Sequence, residues 1–168
     1  MYAGHVALAT FAKARRPRIP IALLVPVAFA PDWIEWVLKG FGNENRMWSH
    51  SLLSVAIGSC LVAILYWIVT RQPGDAVAVA LTYLSHWGAD FITGIKPTWP
   101  DGPWVGLMLY NHAIGDVVVE CGLIVLCWLA YRRSLPAVSR GRAIALLVPL
   151  GLIAMQIAFA AIQNPALG

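Results

Sequence analysis

Tyr83-Leu84-Ser85-His86-Trp87-Gly88-Ala89-Asp90 sits inside an otherwise apolar run from Ala76 to Ile92. The spacing places His86 and Asp90 on one face of a helix, about 6 Å apart along its axis. Burying that pair among Leu, Val and Ala costs free energy unless both groups have partners. An ionisable group inside a membrane segment points to a functional site, and its partners must be sought elsewhere in the chain.

The surroundings fix the class. The chain has 168 residues, of which 60% are apolar and 12% charged. That charged share is about half the roughly 25% of soluble domains. Several apolar runs approach the ~20 residues needed to cross a bilayer core. Four read as spans, at 51–70, 76–93, 113–131 and 143–163. The last carries no ionisable side chain and reads as a plain C-terminal anchor behind a metal-site bundle at 1–131. The expected fold is an all-α, polytopic membrane helix bundle forming a single domain over 1–168. The net charge of +4 is modest and gives no reason to expect nucleic acid. Cys60, Cys121 and Cys127 lie in apolar runs without a CxxC motif and read as packing residues.

The N-terminus admits two topologies. Lys13, Arg15, Arg16 and Arg18 come after the first apolar stretch, the reverse of a signal peptide's order. Residues 1–18 could lie outside the membrane, giving about five spans. Alternatively, 3–14 and 19–31 form a helical hairpin in front of four spans. A helix of about 14 residues is only ~21 Å long against a core of roughly 30 Å, so the hairpin would be shallow, tilted or shielded by protein. Pro31-Asp32 predicts a helix break with Asp32 capping the next helix, and Asp75 is the expected N-cap of the span at 76–93. Residues 38–49 form a polar loop, and the Pro- and Trp-rich loop 94–111 a lid or rim. Arg15, Arg16, Arg18, Arg71, Arg132, Arg133, Arg140 and Arg142 gather on one side, which the positive-inside rule makes cytoplasmic. Trp33, Trp36, Trp48, Trp99 and Trp104 mark the other boundary, and Trp67 and Trp128 the basic one.

With this orientation the polar residues converge. Asp32, His50, His86, Asp90, His112 and Asp116 all fall at the non-cytoplasmic end, with Glu120 one turn deeper. The hairpin brings His5 to the same depth, and is preferred for that reason. Imidazole nitrogen and carboxylate oxygen suit zinc, with manganese or iron as alternatives. His86-x3-Asp90 and His112-x3-Asp116 each offer two ligands from one helix face. His5, Asp32 and His50 complete a site for one to three divalent ions, which suits phosphoester hydrolysis. Glu120, Ser49 and Ser85 are candidates to orient the ligands. Arg46 and Lys96 are candidate phosphate contacts. Plainer roles stand beside these: His50 capping its span, Asp116 sitting at a helix N-terminus, His112 a loop residue, and Arg46 and Lys96 touching headgroups.

Two segments carry a resemblance. Arg46-Met47-Trp48-Ser49-His50-Ser51 resembles an "RG-aromatic-Thr-His-Ser" motif, and Tyr83–Thr93 a "G-x-LSH-x-x-x-D-x-x-T" motif. Both occur in small bacterial inner-membrane proteins of the YdjM-like family, described as metal-dependent hydrolases. Gly4-His5 and Pro31-Asp32 match that family's "H" and "PD" motifs. The order His5, Asp32, His50, His86/Asp90, His112/Asp116 is remotely similar to zinc-dependent phospholipase C and S1/P1 nucleases. The resemblance implies a membrane-bound hydrolase acting on a small or lipid phosphoester through metal-activated water, with Asp32 as bridging ligand or base. Two rival functions are an ion- or proton-coupled transporter and a membrane scaffold with a structural metal.

Overall fold

A computed structural model of the chain describes residues 2–43, 45, 47–140 and 144–163. In chain order the elements are α1 (Tyr2–Arg15), α2 (Ile21–Ala28), α3 (Ala30–Gly40), α4 (Met47–His50), α5 (Leu52–Thr70), α6 (Pro73–Thr93), the two-residue strands β1 (Lys96–Pro97) and β2 (Trp104–Val105), a 3-10 turn at Leu109–Asn111, α7 (Ala113–Ser134), α8 (Ala137–Arg140) and α9 (Ile144–Gln163).

The alanine-rich α1 is the hub. Ala3, Ala7 and Ala9 are at most 1% exposed, and α1 packs against α2, α6, α7 and α9. Side chains this small let helix backbones approach closely, which is how helices associate where no water drives them together. One apolar cluster joins Ala9 to Ile19, Leu24, Val55, Val79 and Tyr83, and another joins Ala3 and Ala7 to Ile124 and Cys127. α1 and α2 therefore pack together as the expected helical hairpin, and neighbouring helices shield the short α1. Lys13 closes the hairpin, with Nζ donating to the carbonyls of Pro17 (2.6 Å) and Ile19 (2.9 Å).

Several local expectations change. The break comes at Phe29, two residues before Pro31, and bends α2 against α3 by 56°. Pro31 sits in the first turn of α3, where its missing N–H costs nothing. Asp32 makes no cap hydrogen bond, because the bend turns it toward the other helices. The polar loop expected at 38–49 is shorter, since α3 runs to Gly40 and α4 takes up Met47–His50. The N-cap of α6 is Gln72. Asp75 lies one turn inside, buried, with Oδ1 3.7 Å from Arg16 Nη1.

Among the described residues, two helices are long and apolar enough to cross a membrane, Leu52–Thr70 and Ala113–Ser134, or three if the bent α2–α3 pair counts as one span. The expected count of about five is not reached. The polar residues of α6 lower its hydropathy, and the fully described part of α9, Leu147–Ile162, is apolar apart from Gln156. Trp33, Trp36, Trp48, Trp99 and Trp104 are exposed, and Arg71 and Arg132 lie over the rings of Trp67 and Trp128.

The loop 94–111 folds back as a ribbon, pairing Lys96 with Val105 and Pro97 with Trp104. The Leu53 amide donates to Thr98 and the Leu107 amide to Phe91, tying the loop to α5 and α6. Gly106 lies so close to the Gly94 carbonyl that a Cβ there would overlap it.

The hairpin makes a topological prediction. In a chain whose native cysteines are replaced, Arg18→Cys, Gln72→Cys and Arg133→Cys label with a membrane-impermeant thiol reagent from one face, and Trp99→Cys from the other. Labelling of Arg18→Cys from the Trp99 face would overturn it.

Candidate metal centre

Five elements meet beneath the ribbon. α1 brings His5, α3 brings Asp32 and Glu35, α4 brings His50, α6 brings His86 and Asp90, and β1 brings Lys96. The three imidazoles are at most 2% exposed, and Glu35 and Asp90 are each 7% exposed. Asp32 is the opening, with a third of its side chain accessible.

The bend at Phe29 sets the geometry. α2 stops at Ala28, and the Ala28 carbonyl lies 2.9 Å from His86 Nδ1. A carbonyl can only accept, so Nδ1 carries the proton and Nε2 turns inward. That Nε2 is buried without a hydrogen-bond partner. It faces Asp90 Oδ2 at 3.4 Å and Asp32 Oδ1 at 3.7 Å. A neutral imidazole there aims a lone pair at two carboxylates, and only a cation between them, a proton or a metal ion, removes the repulsion.

The other groups close in on the same point. His50 Nε2 is 3.1 Å from Asp32 Oδ1, while its Nδ1 is 2.7 Å from Ser49 Oγ and 3.3 Å from Glu35 Oε2. Burial holds the His50 imidazole below its ordinary pKa, against the opposing pull of Asp32, so at neutral pH it keeps a lone pair. His5 Nε2 lies 3.5 Å from Asp90 Oδ1, and its ring stacks on His86 with centroids 4.1 Å apart. Potential ligand atoms lie within 4.8 Å of one another in three overlapping groups: His5/Asp32/His86, His50/His86/Asp90 and Asp32/Glu35/His50. Donors on one ion with bonds of about 2.0–2.2 Å lie roughly 3–4 Å apart, so the set fits a divalent ion. Two lysines stand at the edge. Lys96 Nζ is 2.6 Å from Asp90 Oδ2 and Lys39 Nζ is 2.6 Å from Glu35 Oε1. Three carboxylates thus face two ammonium groups, which leaves negative charge for a further cation.

The sequence-derived set divides here. His5, Asp32, His50, His86 and Asp90 assemble, Ser49 orients His50, and Lys96 reaches the site through Asp90. His112 does not join them, because α7 begins one residue later and His112 is an exposed N-cap. Asp116 is buried, but its Oδ2 accepts from Gln156 Nε2 at 3.0 Å. Glu120 is fully buried on α7, with neither carboxylate oxygen hydrogen-bonded among the described residues, and belongs to none of the three ligand groups. Ser85 Oγ donates to the Thr82 carbonyl within its own helix and orients no histidine. Arg46 lies outside the described residues. Sequence reasoning missed Glu35 and Lys39, although Asp32-x-x-Glu35 is the i, i+3 spacing of one helix face. It missed Gln156 because α9 reads as a plain anchor; the buried amide ties α9 to α7.

A family model described as "YdjM inner membrane protein" matches residues 2–164. No curated protein and no solved structure matches the chain. The likeness to zinc-dependent phospholipase C therefore rests on residue order alone.

The role of α9 can be measured. Gln156→Leu leaves a buried carboxylate oxygen of Asp116 unpaired and lowers stability by about 1 kcal/mol in detergent-solubilised thermal unfolding. An unchanged transition would return α9 to the status of a plain anchor.

Proposed function

The chain belongs to the YdjM inner membrane protein family, and we propose that it is a membrane-bound, metal-dependent hydrolase of a phosphoester on a lipid-like molecule. The observation that supports this is His86 Nε2, buried without a partner and facing two carboxylates beside two more imidazoles. A proton there would place an imidazolium against the stacked His5 and the adjacent His50. A divalent ion uses all three rings as neutral ligands. His50, His86, Asp32 and Asp90 are the residues to hold it, with His5 and Glu35 at its flanks, and zinc suits the donor set best.

When bound, such an ion supplies a Lewis acid and a water acidic enough to react near neutral pH. The chain's own groups do the rest. Asp32, the accessible carboxylate, would accept a proton at the carboxylate oxygen that does not hold the ion. Ser49 and the Ala28 carbonyl hold His50 and His86 in fixed orientations, which sharpens ligand geometry. Lys96 and Lys39 offer ammonium groups to a phosphate arriving at the rim. The approach is aromatic: Phe29, Trp33 and Trp36 surround Asp32 in a shallow cavity of about 250 Å³. Indole rings at headgroup depth suit a phosphoester that remains in the bilayer.

For topology, we read α5, α6, α7 and α9 as four spans around the α1–α2 hairpin, with the site on the non-cytoplasmic side. The clustering of basic residues at the opposite end supports that orientation.

The test uses purified protein in lipid nanodiscs. Elemental analysis finds at least one zinc, manganese or iron per chain, and phosphodiester or phosphomonoester lipids are hydrolysed. His86→Ala and Asp90→Asn lose metal and turnover together while the protein stays folded. Asp32→Asn lowers turnover on the order of 100-fold, the scale of a lost general base. Absence of metal from protein supplied with zinc would overturn the proposal. Unfolding of both site variants with no hydrolysis by the parent would favour a structural metal.

A further inference from the structure

The opposite end of α6 carries a second constellation. The C-terminal turn of α1, the hairpin link and the N-terminal turn of α6 enclose a polar cup of about 310 Å³. Arg15, Arg16 and Arg18 line it, with Asp75 as its single acid. Arg16 lies across Gly74 and approaches Asp75 at 3.7 Å. Arg15 and Arg18 pair with no carboxylate among the described residues, and both are exposed. The cup therefore holds a surplus of two positive charges.

It does not end at the arginines. An apolar groove of about 410 Å³ continues from it between α1 and α6, sharing Arg15, Arg16 and Gly74 with the cup. Leu8, Phe11, Val77 and Leu81 line this groove. Phe11, Val77 and Leu81 are 40–59% exposed, on helices of an inner-membrane protein. A cationic cup opening directly onto an apolar trough complements a molecule with an anionic head and a hydrocarbon tail. A soluble anion would leave the trough unused, and a neutral lipid would leave the arginines unused.

We propose that this cup and groove form a binding site for an anionic phospholipid, with its phosphate on Arg15 and Arg18 and one acyl chain between α1 and α6. The site lies roughly 24 Å along α6 from Asp90, so it is separate from the metal centre and does not depend on the hydrolase reading. Its occupant is a resident lipid that braces the hairpin carrying His5.

Native mass spectrometry of the full chain, released from detergent with phosphatidylglycerol or phosphatidylcholine added, tests this. Phosphatidylglycerol binds more tightly than phosphatidylcholine, and inorganic phosphate does not displace it. The double variant Arg15→Glu/Arg18→Glu loses about thirtyfold in phosphatidylglycerol affinity, the scale of roughly two basic side chains at an anionic headgroup, and loses less for phosphatidylcholine, whose choline offsets its phosphate. Should charge reversal prevent folding, Arg15→Gln/Arg18→Gln shows the same preference lost. Leu81→Trp, which fills the groove, weakens both lipids. Equal binding of the two lipids by the parent, full retention of phosphatidylglycerol in the arginine variants, or displacement by inorganic phosphate would each overturn the proposal.

Discussion

A carbonyl left without a helical partner governs this structure. The helix ending at Ala28 bends by 56° before the next begins, and His86 Nδ1 takes the Ala28 carbonyl. That one hydrogen bond fixes the tautomer and ring plane of His86 and forces Nε2 toward the carboxylates. The same bend swings Asp32 and Glu35 inward and leaves Trp33 and Trp36 outward. Charge, orientation and access at the site thus share a single backbone cause.

The centre is also assembled from weak local elements by strong ones. α6 supplies His86 and Asp90 from one long helix, whereas His50 rides on the four-residue α4 and Lys96 on a two-residue strand. Their positions are held by backbone bonds between segments, such as Leu53 to Thr98, and by the close approach of Gly106 to Gly94. Rigid helices and a clamped ribbon together keep donor atoms within reach of one another in a region poor in water.

Much of this was legible in the residues. His86 and Asp90 announced themselves because a charged pair on an apolar helix must have company. His5 emerged from asking which topology would bring it to the same depth. Period and composition fail where tertiary geometry decides. Pro31 looked like the break, but the first turn of a helix tolerates proline, so the bend moved to Phe29 and Glu35 passed unnoticed. His112 mirrored His86 in spacing, yet a helix starting one residue later left it exposed. The span at α6 is hard to read for a related reason: a helix whose polar face meets its neighbours carries residues that lower its mean hydropathy. Gln156 shows the converse, since a single amide in an apolar run gives no periodic signal of the acid it meets.

The contact between α5 and α6 also bears on how this chain can vary over generations. Gly58 leaves just enough room for the phenol ring of Tyr83, and few α5 side chains, Val55 and Ser59 among them, are buried. One side of the helix, with Leu53, Ile57, Leu61, Ile64, Leu65 and Ile68, is exposed. Drift among greasy residues there is nearly free, while a methyl group at one notch would slide the helix out of step. Descendants of this chain should therefore differ widely along that helix and agree at the notch.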